Sequence, residues 1–88
     1  MYRVLVSSTF QKEYGHLDPE SQSRIRNALE QLAEDPFTSR THADIKALKD
    51  TEPKKYRLRI GQFRVVYAVF ENEIRVIELF SRKRGYRL

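Results

Sequence analysis

The chain predicts an α+β fold in the order β-α-α-β-β-β, with a helical hairpin packed on one face of a twisted, mainly antiparallel sheet. Two periodicities and a charge asymmetry lead there. Apolar residues recur at helical spacing between Asp18 and Pro36, and at spacing two from Lys54 onward. Residues 54–88 hold ten of the 17 Lys and Arg but only three of the 12 acidic residues, so the β-rich half carries the positive charge. Cations fixed on strands form a surface suited to a polyanion.

With 88 residues, the expectation is one domain over residues 1–88 with an adequate but small core. The hydrophobic fraction of 40% favours a folded globule over disorder despite the many charges. The absence of cysteine excludes a disulfide framework and a thiolate zinc site. The longest uncharged apolar stretch, residues 65–70, falls far short of the roughly 20 residues of a membrane span. The N-terminus has no signal-peptide pattern, so the expected compartment is the cytoplasm.

The elements follow in order. Tyr2, Val4 and Val6 alternate with Arg3 and Leu5, which suits a short strand. Ser7 or Ser8 offers an N-cap for a first helix, in which Phe10, Tyr14 and Leu17 share a stripe before Gly15 and His16 weaken it. Asp18-Pro19-Glu20 reads as an N-cap, a proline at N1 and an acid in the first turn, where the helix dipole favours negative charge. Ile25, Ala28, Leu29, Leu32 and Ala33 form the apolar face of this second helix, and Pro36 ends it. Residues 37–53 are polar and irregular, anchored by Ile45 and Leu48, and carry no assigned element.

From Lys54 the strand places Tyr56, Leu58 and Ile60 on one face and Lys55, Arg57 and Arg59 on the other. Gly61-Gln62 is a hairpin turn. The next strand, from Phe63 to Phe70, is largely apolar on both faces and is therefore central. Glu71-Asn72-Glu73 turns the chain again, and the last strand runs from Ile74 to Phe80.

The helices cover one face of such a sheet. The free face then presents Arg57 and Arg59 about 7 Å apart, with Arg64 on the neighbouring strand and with Arg82 and Tyr86 following the last one. Arginine suits phosphate because its planar fork binds two oxygens and stays charged at any working pH. Four such contacts on single-stranded RNA imply a log-log salt slope of roughly −3. Alternating arginines on a strand more often form a solvated outer face, and spacing alone leaves both readings open. His16 and His42 form no ribonuclease-like pair and read as structural or exposed. No Asp, Glu or His cluster has metal-ligand spacing and no Gly-rich phosphate loop occurs, so neither metal nor cofactor is expected.

The segment Tyr56-Arg57-Leu58-Arg59-Ile60-Gly61-Gln62-Phe63-Arg64-Val65-Val66-Tyr67 and the ending Arg82-Lys83-Arg84-Gly85-Tyr86 resemble the RelE/ParE toxins of toxin-antitoxin pairs, and RelE most closely. Ile45-Lys46-Ala47-Leu48-Lys49 is similar to that family's approach to its second strand. The resemblance implies a fold shaped like small microbial ribonucleases and ribosome-dependent cleavage of mRNA in the A site by 2′-OH attack on the adjacent phosphate. It assigns Arg57 and Arg59 to holding the scissile region, Arg64 to the charge developing on phosphate, Arg82 to the leaving side and Tyr86 to the general base. Lys54, Lys55, Lys83 and Arg84 flank these as RNA-binding cations. Ser81 stands where many relatives carry a His, which removes one candidate proton donor.

The implied partners are an acidic RelB-like antitoxin, complementary to the formal charge of +5, and a ribosome with mRNA in its A site; no membrane is implied. Two other functions remain at this point. A ParE-like relative would inhibit DNA gyrase, and a noncatalytic module would only grip RNA or the ribosome.

Overall fold

A computed structural model describes residues 1–41 and 43–81. The element order is β1 (Arg3–Val6), α1 (Ser8–Gly15), α2 (Pro19–Glu34), β2 (Asp44–Ala47), β3 (Lys55–Ile60), β4 (Phe63–Phe70) and β5 (Glu73–Ser81). The five strands form one sheet in the order β1-β5-β4-β3-β2. β3, β4 and β5 are the expected antiparallel meander, and β1 joins the edge of β5 in parallel. β4 is central, as its two apolar faces require.

Both helices start where the chain supplies caps. The Ser7 hydroxyl accepts from the Phe10 amide and donates to the Ile77 carbonyl at 2.6 Å, so one side chain caps α1 and ties it to β5. Asp18 accepts from the amide and hydroxyl of Ser21, and these hydrogen bonds lower its carboxyl pKa. Pro19 at the start of α2 costs no hydrogen bond there. Glu34 is the last helical residue before Asp35-Pro36.

The helices bury their stripes against one face of the sheet. Phe10, Ile25, Ala28 and Leu32 join Leu58, Ile60, Phe63, Val65, Tyr67, Ile74, Val76 and Leu79 in one cluster. The register shifts between Val66 and Tyr67, whose partners on β5 are Glu78 and Val76, so Ile77 is an extra residue. That shift lets Val76 and Leu79 face the helices together, although their numbers differ in parity. Tyr67 is fully buried, stacks on Tyr56 at 5.5 Å and donates its hydroxyl to the Pro36 carbonyl at 2.6 Å. Burial raises its phenol pKa well above the ordinary value.

The structure corrects the sequence reading in the segment after Pro36. Residues 44–47 form the short edge strand β2, paired antiparallel with β3, and Arg40 and Ala43 exchange an isolated bridge just before it. The order is therefore β-α-α-β-β-β-β. Only Ile45 of this strand packs against the core cluster, and its other residues are exposed, so hydrophobic patterning barely marks it. No helix among the described residues is long and apolar enough to cross a membrane.

Candidate nucleic-acid interface

Leu58 and Ile60 are buried beneath the helices, so strand alternation turns Lys55, Arg57 and Arg59 to the opposite face. Register then decides which charges meet. Arg59 lies directly opposite Arg64 on β4 and opposite Asp44 on β2, and Arg57 lies opposite Val66 and Lys46. Directly opposed residues share a face with Cβ atoms about 5 Å apart. The helix-free face therefore carries a cross-strand arginine pair with a third arginine one step along β3.

The glycine turn makes this pairing possible. Gly61 has φ of +58°, a region that side-chain-bearing residues rarely occupy, and the two-residue connection Gly61-Gln62 leaves Ile60 paired with Phe63 and Arg59 with Arg64. Like charges directly opposed destabilise a sheet by a few tenths of a kcal/mol to about 1 kcal/mol.

The two arginines of β3 are not equivalent. The Arg57 guanidinium donates to the Asp44 carboxylate at 3.0 Å, its side chain is 20% exposed, and its Nε is buried with no partner among the described residues. Arg57 is thus a held cation with one face of its fork committed. Arg59 is exposed and makes no hydrogen bond or ion pair among the described residues. It is the more available guanidinium of the two.

Lys54 is exposed just before β3, and Lys55 shares the arginine face. Arg82, Lys83, Arg84 and Tyr86 lie outside the described residues, as does His42. Ser81 lies opposite Phe63, whose side chain is buried toward the helices, so register puts Ser81 on the helix side of the sheet. His16 is exposed at the C-cap of α1, away from the arginine face. Among the described residues no group of three or more His, Asp or Glu side chains has the arrangement of a metal site. Sequence reasoning missed Asp44. Its only signal was the alternation Asp44-Ile45-Lys46-Ala47, four residues long and with one strong apolar member.

A family model for the ParE toxin of type II toxin-antitoxin systems (parDE) matches residues 4–86. The chain belongs to the ParE/RelE toxin family. A RelE-type assignment within it agrees with the relatives. The chain is 32% identical over 85 residues to a candidate toxin RelE1 of Methanocaldococcus jannaschii, covering 96% of this chain and 92% of that one. Its fold matches an archaeal RelE-RelB complex from Pyrococcus horikoshii with a TM-score of 0.82 and 26% identity, over 96% of this chain and 98% of that one. It also matches a RelB-RelE antitoxin-toxin complex from Methanococcus jannaschii with a TM-score of 0.73 and 25% identity, over 91% and 92% of the two chains. The helical hairpin on a mixed five-stranded sheet is thus the RelE-like α+β fold.

Proposed function

We propose that this RelE-type toxin is a ribosome-dependent endoribonuclease that cleaves mRNA in the A site and so stops translation. The observation that carries the reading is the Arg59–Arg64 pair, set in register beside Arg57 on the face that the helices leave open. A scissile phosphate between Arg59 and Arg64 meets two guanidinium forks on a rigid sheet, and such preorganised charge is where transition-state stabilisation is largest.

In the proposed reaction the ribose 2′-oxygen attacks the adjacent phosphorus and the bond from phosphorus to the 5′-oxygen breaks, leaving a 2′,3′-cyclic phosphate and a free 5′-OH. Arg59 and Arg64 stabilise the charge gathering on the non-bridging oxygens, and Arg57, held by Asp44, fixes the strand. Tyr86, as the phenolate that the surrounding guanidinium charge favours, takes the 2′-OH proton, and Arg82 steadies the departing oxygen. Arginine cannot itself give up a proton, so water supplies the one that the leaving oxygen takes. Lys54, Lys55, Lys83 and Arg84 add phosphate contacts along the strand. Charge stabilisation by arginine needs no metal, and alignment by the ribosome supplies the orientation that a small nuclease does not build.

The two archaeal relatives above were solved as complexes of RelE with RelB, which supports a cognate RelB-like antitoxin as the partner that silences this toxin. An acidic segment that orders on the cationic face is its natural form. The cytoplasm, where ribosomes and such a partner meet, is the proposed compartment.

The test is cleavage of a defined mRNA with and without ribosomes positioned on it, using the native chain, Arg59→Ala, Arg82→Ala and Tyr86→Phe. Ribosome-dependent cuts at the A-site codon, with 5′-OH ends, insensitivity to chelators and loss in the variants, are expected. Salt-sensitive ribosome binding without cuts leaves a noncatalytic binder. Loss of gyrase supercoiling activity, with neither cuts nor ribosome binding, replaces the proposal with a ParE-like action.

A further inference from the structure

A second polar cleft adjoins the arginine face. Arg24, Asn27 and Gln31 stand at i, i+3 and i+7 on α2, hence on one side of the helix, and with Ala28, Thr41, Ala43, Ile60 and Gly61 they line a cavity of about 410 Å³. A neighbouring cleft is lined by Arg40, Ala43, Asp44, Arg59 and Gly61. The two share Ala43 and Gly61, so they form one path around the β3–β4 turn, from Arg59 on the open face to Arg24 on the helix layer. Gly61 lies at the bend of the path, where a Cβ would make only an ordinary van der Waals contact with the Arg24 guanidinium, at 3.5 Å.

The polar groups along this path are mostly donors. Arg24 has one acidic partner, Glu20, at 3.6 Å with both side chains well exposed, an ion pair worth little. Arg40 donates to the Asp35 carbonyl at 3.2 Å, and its charge also acts on the nearby Asp35 carboxylate. Among the described residues Asp44, already committed to Arg57, is the one acid lining either cleft. Asn27 and Gln31 are exposed side-chain amides, each with a donor and an acceptor that match the edge of a nucleobase. Ala28, Ala43 and Ile60 supply an apolar floor for its ring.

We propose that single-stranded RNA leaving the arginine face turns around Gly61 and seats a flanking nucleotide in the α2 cleft, with Arg24 and Arg40 on its phosphates and Asn27 and Gln31 on its base edge. This rests on RNA being the ligand of the arginine face, but not on cleavage. The α2 cleft is then a recognition subsite, and the identity of the nucleotide beside the held phosphate affects affinity.

The test uses uncleavable 2′-O-methyl oligoribonucleotides, a dinucleotide and a hexanucleotide, with binding read by fluorescence anisotropy. Asn27→Ala combined with Gln31→Ala, both at exposed helix positions, should weaken the hexanucleotide roughly tenfold and leave the dinucleotide unchanged. An abasic residue placed at successive positions should cause the same loss at one position only, and should add nothing further in the double variant. Equal hexanucleotide affinity for native and variant chains overturns the subsite, as do strictly additive losses at every position. So does the absence of hexanucleotide binding by the native chain. A variant that loses antitoxin binding but keeps RNA binding assigns the cleft to a protein partner and also overturns it. Position-specific coupling without ribosomal cleavage sustains the subsite and removes the catalytic reading; cleavage without coupling does the reverse.

Discussion

Arg57, Leu58 and Arg59 are consecutive residues of β3, yet they serve opposite sides of the sheet. Leu58 is 1% exposed under α2, where packing decides everything, while Arg57 and Arg59 face away from both helices. On the covered side each side chain is held by many apolar neighbours. On the open side Arg59 has none of the hydrogen bonds or ion pairs that would hold it among the described residues. One short strand therefore separates a packed side from an exposed cationic side by alternation, and substitutions at neighbouring positions on the two sides should have unrelated consequences.

The largest effect is expected on the covered side. Leu58→Ala should destabilise the fold by about 2–5 kcal/mol, out of a total of roughly 5–15 kcal/mol for a domain of this kind, as read by urea denaturation. A loss under about 1 kcal/mol would mean that the core beneath β3 collapses around the cavity. Arg59→Ala should do the opposite. Turnover on ribosome-bound mRNA should fall about 10²- to 10³-fold, while the melting temperature stays level, because Arg59 is exposed and makes no hydrogen bond or ion pair among the described residues. If the fold is weakened as much as by Leu58→Ala, the separation of the two faces is wrong.

The contrast between the held Arg57 and the available Arg59 can be sharpened in the same way. Asp44→Asn leaves the size of the side chain but removes the charge that holds Arg57. RNA binding should tighten and its log-log salt slope should steepen by roughly 0.7, since one more guanidinium is free for phosphate. Turnover should nonetheless fall about tenfold, because a misplaced group loses its effective concentration at the reacting centre. Stability should change by less than about 1 kcal/mol, as the pair is partly exposed. Tighter binding with undiminished turnover would show that Asp44 only opposes RNA and does not position Arg57.

What was legible in the sequence follows the strength of each local signal. The Asp18-Pro19 start of α2, the Gly61-Gln62 turn and the period-two run on β3 were each set by residues close together, and all appear in the structure. β2 was not legible, because an edge strand of four residues with one core side chain has no alternation long enough to stand out. The same gap hid Asp44, whose importance lies in a register with β3 and not in its own neighbours. The facing of Arg59 and Arg64 was only half visible: their turn suggested proximity, whereas direct opposition needed the register. The roles proposed for Arg82 and Tyr86 rest on motif resemblance, since the described residues end at Ser81.

The far end of the open face supplies the last comparison, a cluster in which positive charge is already answered. Glu73 accepts from Arg3 at 2.7 Å and from the Arg75 Nε at 3.1 Å, and Arg75 also lies over the Phe70 ring at 5.0 Å. The hydrogen bonds from Arg3 and then Arg75 lower the Glu73 pKa. A carboxyl with a native pKa below its unfolded value binds fewer protons when folded, so its stabilisation is fully present above the ordinary carboxylate range. It is lost as pH falls through that range toward the lowered native value. Glu73→Gln should therefore cost a little stability at neutral pH and flatten the acid limb of the stability curve, while A-site cleavage at neutral pH stays native. Parallel acid limbs for the two chains would show that the cluster is solvated and contributes nothing. A fall in cleavage would show instead that this end of the sheet, with its neutralised arginines, is part of the working surface after all.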